Sequence, residues 1–176
     1  KGQKVTEDSL MKVCLEGFEY IIQDIPEYAS KSFSKIIAID SSYYKIYFLR
    51  AITYLIDAEH PVSDSNGKLN HEYNDSLLVN KSIEDLKKSI YLFSLHPKTF
   101  PENYIGFEKE YEIPKKTNEI ILGERALSNK NQNLIDGVMV YLTSHGKNKN
   151  LACECWEKAK KEKVFKIELL INEFCK

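Results

Sequence analysis

The amino-acid sequence predicts an all-α protein of antiparallel helical hairpins, with about eight helices in one domain that spans residues 1–176. Glycine occurs 7 times and proline 5 times, and long stretches of the chain contain neither. This composition favours helices joined by short turns over a sheet protein, which needs many turns. A pattern of large and small residues also recurs with a period of about 34 residues, which is typical of helical solenoids.

The repeat is clearest between two segments that begin at Leu10 and Tyr44. Aligning them superimposes a large residue, a small residue and an aromatic residue: Val13 on Tyr47, Gly17 on Ala51, and Tyr20 on Tyr54. Residues four and seven apart lie on one helix face, and a small residue there lets a second helix come close. Ala29 and Phe33 then supply the small and large residues of that second helix.

This pattern resembles the tetratricopeptide repeat, in which the first helix carries a small residue and a tyrosine and the second an alanine and a phenylalanine. The first unit, residues 10–43, matches the family at four positions: Gly17, Tyr20, Ala29 and Phe33. Ser41 stands where the family usually has proline. The resemblance implies a right-handed superhelix whose concave groove is lined by the first helix of each hairpin.

The second unit, residues 44–97, begins with the same pattern and then departs from it. A polar insertion occupies residues 57–75, where the family has only a short turn. Insertions of this length in a compact domain are functional or mobile, and here we expect a mobile loop. Helical spacing then resumes at four apolar positions: Ile83, Leu86, Ile90 and Phe93.

The remaining chain divides into a poorly matching unit and a well matching one. Residues 98–130 predict a degenerate unit with two helix-like stretches separated by Pro114. Residues 131–176 recover the pattern at six positions: Leu134, Val138 and Tyr141, then Ala152, Trp156 and Ala159. A final helix over residues 164–175 is expected to cap the open end of the stack.

The last unit has a second resemblance, to the final unit of many repeat proteins from Bacteroidetes. It is carried by five residues: Ala152, Cys153, Trp156, Ala159 and Cys175. A disulfide between Cys153 and Cys175 would join two consecutive antiparallel helices and add about 3 kcal/mol of stability. It would also imply an oxidising compartment, such as the periplasm or cell envelope. In the alternative, all four cysteines are buried and reduced, as in a cytoplasmic protein.

Recognisable motifs for catalysis, cofactors or metals do not occur in the sequence. Cys153 and Cys155 form a lone CxC whose side chains would point to different faces of a helix, whereas zinc needs four convergent ligands. Gly146-Lys147 lacks the rest of a phosphate-binding loop, and no second histidine follows His71 at the spacing of a zinc protease. We therefore expect neither a catalytic residue nor a cofactor or metal site.

Charge and hydropathy limit the classes of partner. A net charge of −1 gives no general attraction for nucleic acid or for an anionic membrane. Neighbouring acids such as Glu84 and Asp85 are expected on the surface of a helix. No run of about 18 apolar residues is present, so we expect no membrane span. The expected partner is another protein or a peptide.

The groove positions of the tetratricopeptide family predict where that partner would bind. In the first unit they fall on Met11, Cys14, Phe18 and Ile21, and in the second on Lys45, Phe48, Ile52 and Leu55. Only Lys45 has the chemistry of the family's carboxylate clamp, so we expect an apolar, aromatic groove for an amphipathic helix or hydrophobic peptide.

Three alternatives to the open groove remain at this point. The same residues are plain core if the rest of the chain covers them. The domain is structural or inhibitory, of the immunity type, if it acts through its convex face or the inserted loop. An enzyme of unrecognised type would require a polar pocket that the sequence does not indicate.

Overall fold

A computed structural model of the chain describes residues 7–59, 62–63, 69–70, 75–95, 127, 129–144 and 146–176. Within these ranges the chain forms seven helices: α1 (Glu7–Ile22), α2 (Pro26–Ile39), α3 (Tyr44–Ala58), α4 (Ser76–Leu95), α5 (Asn129–Thr143), α6 (Lys149–Lys161) and α7 (Glu168–Phe174). Two strands of two residues each, β1 (Val62–Ser63) and β2 (Leu69–Asn70), pair in antiparallel fashion. The predicted all-α class is therefore confirmed for the described residues.

Local side-chain chemistry fixes where the helices begin and end. Pro26 opens α2, a position where its missing N–H costs nothing and its fixed φ suits the helix. Asp40 closes the turn after α2, since its Oδ1 accepts hydrogen bonds from the backbone N–H (2.8 Å) and the Oγ (2.6 Å) of Ser42. Asp75 caps α4 by accepting a hydrogen bond from the N–H of Leu77 at 2.8 Å.

The helices pack in the order in which they follow one another. α1 packs on α2, α2 on α3, and α3 on α4, while α5 packs on α6. The short helix α7 then lies against both α6 and α4, and α4 also contacts α5. The helical hairpins expected from the sequence are thus formed by α1–α2, α3–α4 and α5–α6.

The first and last hairpins are built around the same contact, an aromatic ring pressed against a glycine of the preceding helix. A Cβ added to Gly17 would lie 2.7 Å from Cε1 of Phe33. A Cβ added to Gly137 would lie 2.4 Å from Nε1 of Trp156 and 2.9 Å from the carbonyl oxygen of Ala152. These distances are shorter than van der Waals contact, so both helix pairs are closer than any larger side chain would allow.

The second helix of every hairpin also buries three residues at intervals of four and three positions. These are Ala29, Phe33 and Ile36 in α2; Ser82, Leu86 and Ser89 in α4; and Ala152, Trp156 and Ala159 in α6. A large side chain therefore sits between smaller or flexible neighbours on one face each time. The three hairpins thus share this spacing of buried positions, and the first and last hairpins also share the contact between an aromatic ring and a glycine.

Two clusters of buried side chains make up the core. The smaller one is formed by α1 and α2 with Ile46 of α3. The larger one joins α3 through α7 and includes Leu127. Ile56 of α3 packs against both clusters, so α3 is the helix that links them.

Two predicted regions differ from the structure or lie outside the described residues. α3 extends through Ala58 into the predicted insertion, where Val62 pairs with Asn70 and Ser63 with Leu69. The predicted mobility of residues 57–75 stays a prediction, as does the degenerate unit at residues 98–130, of which residues 98–126 lie outside the described ranges. The capping helix is shorter than expected, since it begins only at Glu168.

The substitution Gly137→Ala should destabilise the protein by about 2 kcal/mol, because the new methyl group overlaps the Trp156 ring and a backbone carbonyl. Gly17→Ala should cost less, since its Cβ meets only the Phe33 ring, which can shift. Both values are measured by urea denaturation. Leu77→Ala, whose side chain is 61% exposed on α4, is the control and should change stability by less than about 0.5 kcal/mol. If Gly137→Ala unfolds at the same urea concentration as the intact protein, α5 and α6 do not approach as closely as described.

Candidate interaction surface

Most of the predicted groove residues are core residues in the structure. Cys14, Phe18 and Ile21 are buried in the smaller cluster, and Ile52 and Leu55 are buried in the larger one. Ile52 keeps 1% and Leu55 0% of its surface exposed, which leaves nothing for a partner to contact. The expectation that these five residues face a partner is therefore corrected: they pack within the chain.

The other three predicted groove residues are placed differently. The side chain of Met11 lies outside the described part of the structure. Lys45 and Phe48, both near the start of α3, are half-buried, and Phe48 packs against the larger cluster. Partial exposure at the start of α3 is what remains of the predicted groove among the described side chains.

Burial also decides the chemistry of Cys14. Its thiol is enclosed by the apolar side chains of the smaller cluster, and desolvation raises its pKa to about 12. A thiolate is thus strongly disfavoured there, and the residue behaves as a small apolar side chain. Cys14 belongs to the packing of α1, not to a reactive site.

Exposed apolar residues gather instead at the turn between α1 and α2. Ile22 is 58% exposed, Ile25 36% and Tyr28 50%, and all three lie between the end of α1 and the first turn of α2. The Tyr28 ring lies 5.5 Å from the ring of Tyr20, which anchors it to α1. We define Ile22, Ile25 and Tyr28 as the turn patch. The sequence alone does not reveal the turn patch, because Ile22 directly follows Ile21 and fits the same apolar stripe of α1.

A largely buried ion pair joins α3 and α4. Arg50 donates from Nε to Oδ2 of Asp85 at 2.7 Å and from Nη2 to Oδ1 at 2.8 Å. Its Nη1 donates to Oγ of Ser34 on α2 at 2.9 Å, so one guanidinium ties three helices together. The rings of Tyr47 and Tyr54 lie 5.6 and 5.8 Å from the guanidinium carbon. Such bidentate geometry is the strongest form of a charged hydrogen bond.

The two charges of this pair are strongly dependent on each other. Burial raises the pKa of the Asp85 carboxyl, and the hydrogen bonds and charge of Arg50 oppose that shift without cancelling it. For Arg50, burial lowers the pKa, but the hydrogen bonds and charge of Asp85 outweigh it and the pKa is raised. The expectation that Glu84 and Asp85 both lie on the helix surface is wrong for Asp85, which faces inward and pairs with Arg50.

The C-terminal end is held by a disulfide and a group of aromatic rings. Cys153 of α6 and Cys175, just after α7, form a disulfide with a Cα–Cα distance of 5.8 Å. The ring of Phe174 lies 6.2 Å from that of Trp156 and 5.7 Å from that of Tyr141. Helix α7 is thus covalently and sterically tied to the last hairpin.

The fourth cysteine of the chain has a different environment. Cys155 is a half-buried free thiol whose pKa is raised, first by burial and then by the charge of Asp136. The two sulfurs of the CxC segment therefore point to different surroundings, as expected for a helix. Within the described residues, no group of three or more His, Cys, Asp or Glu side chains is placed to hold a metal ion.

Comparisons with known proteins give no match to a protein family, a curated protein or a solved structure. Among the helices described here, none is both long and apolar enough to cross a membrane. Function has to be inferred from the packing and surfaces of this chain alone.

Thiol labelling tests the cysteine assignments. Unfolded, unreduced protein should react with iodoacetamide at two thiols, and at four after reduction. In the folded protein Cys155 should react well before Cys14, because Cys14 is buried and its thiol has a pKa of about 12. Mass spectrometry of protein alkylated from lysis onward gives the count. Four reactive thiols without reduction would show that the bridge does not form.

Removing one partner of the buried ion pair should be costly. Arg50→Met or Asp85→Leu alone should lower the free energy of unfolding by about 3 kcal/mol, because a buried charge is left uncompensated. The double variant should be less destabilised than the sum of the single ones, which urea denaturation of all four proteins measures. The exposed pair Lys31 and Glu27 serves as the control, and its removal should change little. Additive losses at Arg50 and Asp85 would contradict the coupling.

Proposed function

We propose that this chain is a protein–protein interaction module, an adaptor or assembly factor, that binds a partner and catalyses no reaction. Its hairpins stack in the manner of tetratricopeptide repeats, as a right-handed superhelix. The single observation that carries the proposal is the spacing of buried positions shared by the three hairpins.

The shared scheme supports a repeat architecture more directly than the sequence match does. Phe33 packs on Gly17 in the first hairpin and Trp156 packs on Gly137 in the last, although the glycine and the ring are farther apart in sequence in the last hairpin. The buried triplets of α2, α4 and α6 follow the same spacing. Repeated hairpins of this kind extend along one axis and present large surfaces, which suits recognition of another protein.

The surface proposed for recognition is the turn patch. Its three large apolar side chains are all exposed and lie within seven residues of one another around a single turn, and exposed apolar groups close together mark sites of protein contact more often than scattered ones do. Pro26 and the Tyr20–Tyr28 ring contact hold the turn in place, so little conformational entropy is lost on binding. The proposed occupant is the apolar face of an amphipathic helix or a hydrophobic peptide of a partner protein.

The disulfide is the basis for the cellular compartment that we propose. A bridge between Cys153 and Cys175 is favoured in an oxidising environment, and structural disulfides are rare in a reducing cytoplasm. The proposed place of action is therefore an oxidising compartment, and the resemblance of the last unit to Bacteroidetes repeat proteins favours the periplasm or cell envelope of a bacterium.

Affinity capture from a native extract tests the proposed surface. The variant Ile22→Ser/Tyr28→Ser removes two exposed apolar side chains, and because neither is buried the helices should keep their packing. Circular dichroism and urea denaturation check that loss of the Tyr20–Tyr28 ring contact leaves the fold intact. We expect the variant to lose most of the partner that the intact protein retains, by tenfold or more, because a few aromatic and apolar anchors dominate interface energies. Bound protein is quantified by mass spectrometry.

The matched control is Leu95→Ser/Tyr91→Ser, which removes one aliphatic and one aromatic side chain of similar exposure from α4. It should retain the partner. If only the control variant loses the partner, the binding surface lies at the end of α4 and not at the turn patch. If the intact protein retains nothing, the interaction role is refuted.

A further inference from the structure

The turn between α6 and α7 carries a local positive charge in a chain that is otherwise balanced. Residues 157–168 include five lysines and three glutamates, a local net charge of +2 against −1 for the whole sequence. The five lysines are all exposed: Lys158, Lys160, Lys161, Lys163 and Lys166. None of them forms an ion pair with an acidic side chain of the described residues. Of the three acids, Glu162 accepts a hydrogen bond from Asn133 at 3.1 Å.

An aromatic side chain projects from the middle of this turn. Phe165 is 44% exposed, while its neighbours Val164 and Ile167 are buried in the core at 4% and 0%. Because these two neighbours anchor the turn from both sides, Phe165 is held pointing outward. The Nζ of Lys166 lies 5.5 Å from the centre of its ring, so a cation stands directly beside the exposed aromatic.

The backbone of the turn is held in an unfavourable shape. Lys163 and Lys166 have φ angles of 62° and 56°, in the left-handed region that residues other than glycine seldom adopt. Lys163 lies just beyond the end of α6, where the N–H of Val164 donates to the carbonyl oxygen of Ala159 at 3.1 Å. Val164 and Ile167 are buried on either side of Phe165, so the backbone that carries Phe165 is held in place.

A purely structural explanation covers only part of this pattern. Lys158, Lys160 and Lys161 lie in the last turn of α6, where positive charges complement the helix dipole. Lys163 and Lys166 lie beyond the end of that helix, and neither the dipole nor the packing accounts for an exposed Phe165 between them.

We propose that this lysine-rich turn docks on an anionic membrane surface, with the lysines on the lipid phosphates and Phe165 inserted at the headgroup level. Basic side chains near such a surface are attracted electrostatically, and an aromatic anchor adds apolar burial. The attraction depends on the local charge, because charges more than about 10 Å away are screened at ordinary ionic strength. The overall net charge of −1 therefore does not oppose it.

A flat lipid surface suits this geometry better than an acidic peptide does. A protruding side chain ringed by cations can insert into an interface that surrounds it on all sides. A peptide is usually held along a groove or the edge of a sheet, where its backbone finds partners. The turn at residues 162–167 offers an outward-facing aromatic, while Val164 and Ile167 are buried in the core.

Vesicle sedimentation tests the proposal. The intact protein should bind vesicles of phosphatidylglycerol mixed with phosphatidylcholine, should ignore phosphatidylcholine alone, and should be released by about 0.5 M salt. Lys160→Glu/Lys161→Glu should weaken binding at least about tenfold. Phe165→Ser should weaken it severalfold, with less dependence on salt. The fluorescence of Trp156, the single tryptophan of the chain, reports that each variant is folded.

The matched control is Lys12→Glu/Lys35→Glu, which changes the net charge equally at exposed lysines of α1 and α2. It should bind anionic vesicles like the intact protein. No binding to anionic vesicles at low salt would overturn the proposal, as would an equal loss in the control. Release by soluble poly-glutamate, together with unchanged binding by Phe165→Ser, would also overturn it and point to an acidic protein partner.

Discussion

The closeness of the two helices in the first and last hairpins is the constraint on which the rest of the structure depends. At Gly17 and Gly137 the facing aromatic ring occupies the space that a side chain would need, so the helix axes can approach only because no Cβ is present. In the last hairpin the ring is also oriented, since Nε1 of Trp156 donates to the carbonyl oxygen of Leu134 at 3.2 Å. Close approach on this scale buries nearly all of the facing helix surfaces.

That tight packing explains why the expected groove is filled. The faces of α1 and α3 that a tetratricopeptide-like stack would turn to a ligand are used to complete the two core clusters. The polar contacts inside the stack are equally compact. Arg50 reaches both Asp85 and Ser34 from one position, so a single cation satisfies groups on two neighbouring helices. A buried charge is tolerable there because its partner is fixed by the packing.

The fold class and the hairpins could be predicted from sequence because helical periodicity and small-residue spacing are local properties. The groove could not, since an apolar stripe reads the same whether it faces a partner or another helix of the chain. The role of Gly137 was missed because the last hairpin separates its glycine from its aromatic by a longer stretch of sequence than the first hairpin does. Asp85 was misplaced because Glu84 beside it suggested a solvated pair, whereas its true partner, Arg50, lies on the preceding helix.

Large apolar side chains stay exposed on helix faces, as Tyr91 of α4 and Met139 of α5 do, and also at turns. The turn patch lies at the α1–α2 connection, and Phe165 lies at the α6–α7 connection. Both turns contain residues at positive φ, Asp24 in the first and Lys163 and Lys166 in the second. The hydrogen bonds of both turns close the preceding helix: the N–H of Ile25 donates to the carbonyl oxygen of Tyr20 at 2.9 Å, and the N–H of Val164 donates to that of Ala159 at 3.1 Å. The end of the helix therefore accounts for the left-handed backbone in each turn. It does not account for the exposed apolar side chains of Ile25 and Phe165, which add little to the core and are the features that the two proposals explain.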